Sequence, residues 1–159
     1  MCEGCNGGLA VDAFVYYETH FAMTEASYPY KAVDGTCQYN VNENAGVETT
    51  GYQTCEPADV DCMKANLALK PIACSVYVND AFHAYSGGIF NDTSCPEDLH
   101  NHATNLVGWG VDGNSGVEYW IMRNSWGTDW GEQGYMYVQI NQTGGICGIQ
   151  NYIKWPDMA

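Results

Sequence analysis

The stretch Arg123-Asn124-Ser125-Trp126-Gly127-Thr128-Asp129-Trp130-Gly131 decides how the rest of the chain is read. Two tryptophans and two glycines follow closely on an asparagine at the end of an apolar run. Indole is costly to leave in water, so a loop with paired tryptophans shields something. An asparagine behind such a shield is placed to orient another polar side chain. Its partner is found 22 positions earlier, where His102 heads a second apolar run, Ala103 to Val111. A histidine aligned by an asparagine under an indole is the base-and-orienter half of a site built around a cysteine nucleophile. The neutral imidazole offers one nitrogen to a thiol, and the Asn124 amide oxygen fixes the tautomer without adding charge.

Outward from that stretch the pattern is mostly strand. Ile72 to Val78 and His102 to Val111 are apolar and β-prone. Gly113-Asn114-Ser115-Gly116 is a turn signal into a strand from Val117 to Asn124, on which Trp120, Met122 and Asn124 share one face. Gly134 to Ile140 reads as a further strand. The front of the chain reads as helical. Leu9 to Phe21 carries Leu9, Ala13, Tyr17 and Phe21 at four-residue spacing, which predicts a helix. Ser27-Tyr28-Pro29-Tyr30 closes that region in an extended segment. The Asn-rich stretch from Asn40 to Gly46 reads as a connector. A second helix follows Pro57, with Asp59 and Asp61 in its first turn, Val60, Met63 and Leu67 on one face, and Lys70-Pro71 as its stop. The expected class is α+β, a helical front with an antiparallel β rear.

The chain has 159 residues, enough for one compact domain. Its 5 basic and 19 acidic residues give a formal charge of −14, which argues against nucleic acid or an anionic membrane as partner. No stretch approaches the roughly 20 apolar residues of a membrane span. Eight cysteines and two sequons, Asn91-Asp92-Thr93 and Asn141-Gln142-Thr143, predict an oxidising compartment with glycans on Asn91 and Asn141. Met1 is followed at once by Cys-Glu-Gly-Cys rather than by a leader, so the chain reads as cut from a longer secreted precursor.

Cys2-x-x-Cys5 could be half a zinc site or a redox pair. Zinc wants a second pair at ligand spacing, and a thioredoxin-type dithiol wants a preceding strand; neither stands out, so structural disulfides are the default and no metal is expected. His20, His83 and His100 lack partners in the sequence and read as surface or packing residues.

Cys5-Asn6-Gly7-Gly8, Tyr28-Pro29-Tyr30, Tyr85-Ser86-Gly87-Gly88-Ile89-Phe90, Asn101-His102-Ala103, Asn124-Ser125-Trp126-Gly127, Trp130-Gly131-Glu132-Gln133-Gly134-Tyr135 and Cys147-Gly148-Ile149 occur in this order. Taken together they resemble the C-terminal two-thirds of papain-like, cathepsin-like cysteine proteases. The resemblance implies an incomplete two-lobe fold, with residues 1–44 as a remnant of the helical lobe and 45–159 as a mainly antiparallel, barrel-like β lobe. It implies His102 as catalytic base, Asn124 as its orienter and Trp126 as the shield. Gly7 and Gly8 match backbone that holds extended substrate, and Asn101 belongs with the substrate-binding set. Ala103 and Tyr152 match walls of the specificity pocket. Tyr152 departs from the smaller or acidic residues common there, which predicts a preference for modest apolar side chains and no gain from arginine.

One element of the family pattern has no match. Its nucleophile lies in a Cys-Gly-Ser-Cys-Trp-type motif roughly 130–150 residues before the histidine, and no Cys-Trp pair occurs in this sequence. The glutamine of the oxyanion hole lies further upstream still. The resemblance also pairs Cys95 with Cys147 and Cys2 with Cys37 and leaves Cys5 as a free thiol; Cys74, inside an apolar strand, reads as a buried thiol, and Cys55 and Cys62, flanking the start of the second helix, have a local bridge as one option. The expected protein is therefore a lysosomal, vacuolar or extracellular cysteine peptidase whose nucleophile-bearing segment lies outside this chain. It needs no cofactor. Its expected partners are a peptide or protein substrate, that missing segment, or a cystatin-like inhibitor. The competing reading is a non-catalytic pseudo-protease or an acidic secreted binding module.

Overall fold

The computed structural model describes residues 3–159. They form two compact units. One runs up to Gln53 and includes Pro156–Ala159; the other is Thr54–Trp155.

In the first unit the chain turns through a 3-10 segment, Gly4–Asn6, into helix α1, Ala10–Tyr16. The sequence pattern predicts a helix from Leu9 to Phe21, and the structure shortens it at both ends. Leu9 is the extended residue before the helix, 62% exposed and without a side-chain cap. At the far end the Tyr16 carbonyl accepts from Thr19 Oγ1 (3.5 Å) and meets His20 Nδ1 (3.1 Å), so local side chains finish the last turn. Four-residue spacing alone misled here because α1 buries no residue at all. Strand β1, Thr49–Gln53, is tied to α1 by the Thr49 hydroxyl, which donates to the Phe14 carbonyl at 2.7 Å. It is tied to the chain end by Gln53 Nε2, which donates to Asp157 Oδ2 at 2.7 Å.

The second unit is a sheet with a helix on it. Helix α2, Val60–Leu67, starts where the Asp59 side chain accepts from the Cys62 amide at 2.9 Å. Its buried face is Val60, Met63 and Leu67, the spacing of one helix stripe. Next come β2 (Ile72–Val76), the short helix α3 (Asp80–His83) and β3 (Ile89–Phe90). The long strands follow: β4 (His102–Val111), β5 (Glu118–Arg123), β6 (Tyr135–Gln139) and β7 (Ile153–Met158). Within this unit the strand order is β7-β2-β4-β5-β6-β3. The pairs β7–β2, β2–β4, β4–β5 and β5–β6 are antiparallel, whereas β3 lies parallel to β6. Strands β1, β3 and β7 and helix α3 carry no strong signal in sequence, being short or interrupted by glycine or proline.

Alternation sets the core. Ile72, Cys74 and Val76 of β2, Trp120 and Met122 of β5, and Met136 and Val138 of β6 all point inward and are buried. The disulfide Cys95–Cys147 spans 52 positions, and Cys55–Cys62 closes a local loop at the start of α2. Cys74 is a buried thiol, Cys5 an exposed one, and Cys37 is exposed. The expected Cys2–Cys37 pairing involves a residue outside the described ones.

Candidate active site

Antiparallel pairing of β4 with β5 brings the start of one strand beside the end of the other. Asn105 pairs with Arg123, so His102 at the head of β4 and Asn124 just past β5 come together. His102 Nε2 lies 2.8 Å from Asn124 Oδ1. The Ser125 amide donates to the same Oδ1 at 2.8 Å, which fixes that atom as the oxygen and therefore as an acceptor. The imidazole must then donate from Nε2, leaving Nδ1 with a bare lone pair. That tautomer is the one a base needs. Asn124 is buried and held through its backbone N–H, which donates to the Gly134 carbonyl at 2.9 Å. Its Nδ2 has no partner.

Trp126 covers the pair. Its ring lies 4.9 Å from that of His102 at 28°, a stacked arrangement that shields one side of the hydrogen bond. The indole is braced edge-on by Phe82 (6.0 Å) and Trp130 (5.1 Å). Trp130 Nε1 in turn donates to the His83 carbonyl at 3.0 Å. The turn just past Trp130 needs glycine at 131, where φ is +57° and a Cβ would meet the Tyr135 carbonyl oxygen at 2.5 Å. His83, which reads in sequence as a surface or packing residue, is exposed and rests against Trp126 at 5.2 Å. Helix α3, which supplies Phe82 and His83, is too short for a periodicity signal.

A second row flanks the histidine. Ala103 is exposed on β4 and pairs with Ser75 of β2, whose amide donates to the Tyr152 carbonyl at 3.2 Å. Ala103, Ser75 and Tyr152 thus line up across three adjacent segments. Ser75 escapes a motif search, but its outward direction follows from the inward Cys74 and Val76. Asn101 is engaged twice with one residue: its Oδ1 accepts from the Val78 amide at 2.7 Å and its Nδ2 donates to the Val78 carbonyl at 3.1 Å. That clamp fixes the approach of the chain to His102. Gly7 and Gly8 lie in the first unit, exposed, at the exit of the 3-10 turn, and Gly7 has a positive φ of 109°. Of the sequons, Asn91 is exposed on the surface, while Asn141 Oδ1 accepts from the Thr143 backbone amide at 3.0 Å.

Neither Cys5 nor Cys74 has the electrostatics of a nucleophile. Burial pushes the Cys74 thiol up to about 12, against the smaller opposing effect of its Thr104 hydroxyl contact at 3.0 Å. The hydrogen bond with Asp34 raises Cys5 as well. A reactive cysteine needs its pKa moved the other way. Among the described residues no group of three or more histidine, cysteine or acidic side chains could hold a metal ion.

Comparison with known proteins places this arrangement. Residues 1–156 match the model of the papain family of cysteine proteases. A cathepsin L-like proteinase of Fasciola hepatica is 40% identical over 159 residues, which are 99% of this chain and 47% of that protein. The digestive procathepsin L2 of Tenebrio molitor superimposes with a TM-score of 0.91 at 33% identity, covering 98% of this chain and 49% of that one. Bromelain of Ananas comosus, in complex with the inhibitor E64, gives a TM-score of 0.89 at 34% identity, covering 100% of this chain and 74% of the other. The chain spans about half the length of the curated relatives it matches. Its α+β architecture is accordingly part of a papain-like fold, and the chain belongs to the papain family of cysteine proteases.

Proposed function

We propose that this chain supplies the base-and-orienter half of a cysteine peptidase site, and that the thiolate comes from a segment outside it. One observation carries the reading: the His102 Nε2 to Asn124 Oδ1 contact of 2.8 Å, under the Trp126 ring, with Nδ1 left free. In the assembled site a cysteine thiol gives its proton to His102 Nδ1, and the thiolate attacks the carbonyl carbon of a peptide bond. The imidazolium then returns the proton to the leaving amine as the C–N bond breaks. Asn124 holds the ring in plane throughout and Trp126 shields one side of their hydrogen bond. In the first unit Gly7 and Gly8 are backbone suited to extended substrate; in the second, the row Ala103, Ser75, Tyr152 is the wall for a substrate side chain. The Tyr152 phenol supplies no charge, so modest apolar side chains fit there. The chemistry requires no cofactor. Substrate is a peptide or protein, and a cystatin-like inhibitor would fill the same cleft. Two disulfides among the described residues and the sequons at Asn91 and Asn141 support a lysosomal, vacuolar or extracellular setting.

A second reading, a non-catalytic binding module that keeps the cleft, is favoured by the lack of any Cys-Trp pair and by the raised Cys5 and Cys74 thiols. Adding an N-terminal segment that carries Cys-Gly-Ser-Cys-Trp separates the two. Peptide hydrolysis that appears with the segment and vanishes in His102→Ala supports the peptidase. Thiol-dependent hydrolysis by the 159-residue chain alone would overturn the placement of the nucleophile.

A further inference from the structure

Two residues before the base sits His100, half-buried, with both ring nitrogens closed off from solvent and neither hydrogen-bonded. An imidazole always carries at least one N–H, so such a ring leaves a donor unpaired in its neutral form and two in its charged form. Its ring centroid lies 4.0 Å from that of Tyr152, edge to face at 65°. From the other side Gly148 approaches so closely that a Cβ there would meet His100 Cε1 at 3.0 Å. The ring is therefore wedged between the Cys147-Gly148 turn and the phenol. Beside it runs a groove of about 560 Å3 lined by Glu56, Asp98, Asn151, Tyr152 and Lys154 among others.

We propose that His100 is a specificity-determining residue: neutral, it props the Tyr152 wall of the substrate cleft, and on taking a proton it swings out towards Asp98 and lets Tyr152 settle into the vacated space. The inference rests on the reading of Tyr152 as a cleft wall. The charges around the ring favour that direction of movement. Burial lowers its proton affinity where it stands, and Asp98 opposes that effect. Asp98 lies on the same segment and lines the groove, which gives the charged ring both a counterion and solvent. The Glu97 carboxylate is already engaged, accepting from Thr143 Oγ1 at 2.6 Å and the Gly144 amide at 3.1 Å. On the far bank, Lys154 Nζ donates to Thr54 Oγ1 at 2.9 Å and adds a positive charge, while Glu56 adds a negative one. The Cys147–Cys95 disulfide contributes no charge. The neutral ring beneath Tyr152 is thus the form held at higher pH, and acidification releases it.

The test follows both rings by NMR in the 159-residue chain across acid and neutral pH. His100 Cε1 titrates with a midpoint below that of free histidine, and the Tyr152 ring resonances move with the same midpoint. His100→Leu, which fills the space but takes no proton, makes Tyr152 insensitive to pH, and His100→Gln does the same. Tyr152 resonances that stay fixed while His100 titrates in the unmutated chain overturn the proposal, whether or not the variants fold. In the enzyme completed by an N-terminal segment, the kcat/KM ratio for large over small apolar side chains rises about tenfold on acidification, and is flat in His100→Leu. Coupled resonances with an unchanged ratio overturn the specificity role but not the His102 site. If the completed enzyme hydrolyses nothing, the proposed function fails, while the coupling of the two rings is still decided by their resonances.

Discussion

The two units of the chain are stabilised in different ways. Every buried apolar side chain among the described residues, from Cys55 to Trp155, belongs to the unit 54–155. The unit formed by the residues up to Gln53 with Pro156–Ala159 buries only Thr49 and leaves Leu9, Val15, Tyr30, Val33 and Val41 exposed. One unit is a sheet around a packed core; the other is a set of short elements joined by hydrogen bonds. Apolar burial dominates folding free energy, whereas a hydrogen bond contributes about 1 kcal/mol net. The comparison therefore locates the stability of the chain in Thr54–Trp155, which is also where His102, Asn124 and Trp126 are held.

Three measurements break or sharpen this contrast. The largest effect comes from emptying the core. Trp120, fully buried, should cost about 3–5 kcal/mol on replacement by alanine. Val15→Ala in the exposed face of α1 should stay within about 0.5 kcal/mol. Urea unfolding followed by circular dichroism reads both, and comparable losses would erase the distinction between the units. Next come the two bridges, both in the second unit. On the chain-entropy model, opening Cys95–Cys147, with its separation of 52, costs about 4 kcal/mol, and opening Cys55–Cys62, with its separation of 7, costs about 2.5 kcal/mol. Thermal unfolding of Cys95→Ala/Cys147→Ala against Cys55→Ala/Cys62→Ala tests that order, and a reversed order would show that loop length does not govern them. The smallest effect is chemical rather than energetic. Cys74, pushed up to about 12, has essentially no thiolate at neutral pH and is shielded besides. Native alkylation should label exposed Cys5 and spare Cys74 until the chain is unfolded. Labelling of Cys74 in the folded chain at a rate like that of Cys5 would mean that the core opens readily.

How far the sequence could be read follows the same division. In the second unit, burial imposes period, so Val60, Met63 and Leu67 announced α2, and Trp120 and Met122 announced the inward face of β5. The site was legible for a related reason: an asparagine just ahead of paired tryptophans has few uses, and His102 at the head of an apolar run completed it. In the first unit no core imposes a period, and the spacing of Leu9, Ala13, Tyr17 and Phe21 promised a longer helix than the seven residues of α1. Contacts made by ring stacking carry no sequence pattern at all. Hence His83 against Trp126 and His100 against Tyr152 passed as ordinary histidines until the fold brought their partners to them. Ser75 stayed silent because its place in the row depends on register between β2 and β4.

The account hangs on which nitrogen of His102 carries the proton. At a pH where the ring is neutral, the 15N resonances of His102 in the intact chain distinguish a protonated from a bare ring nitrogen directly. The hydrogen bond to Asn124 Oδ1, an oxygen fixed by the Ser125 amide, requires Nε2–H with Nδ1 bare. Asn124→Ala should then leave a mixture of the two tautomers, because nothing else in the site selects between them. A His102 found with Nδ1 protonated and Nε2 bare in the intact chain would contradict the account, since no lone pair would then face the incoming thiol.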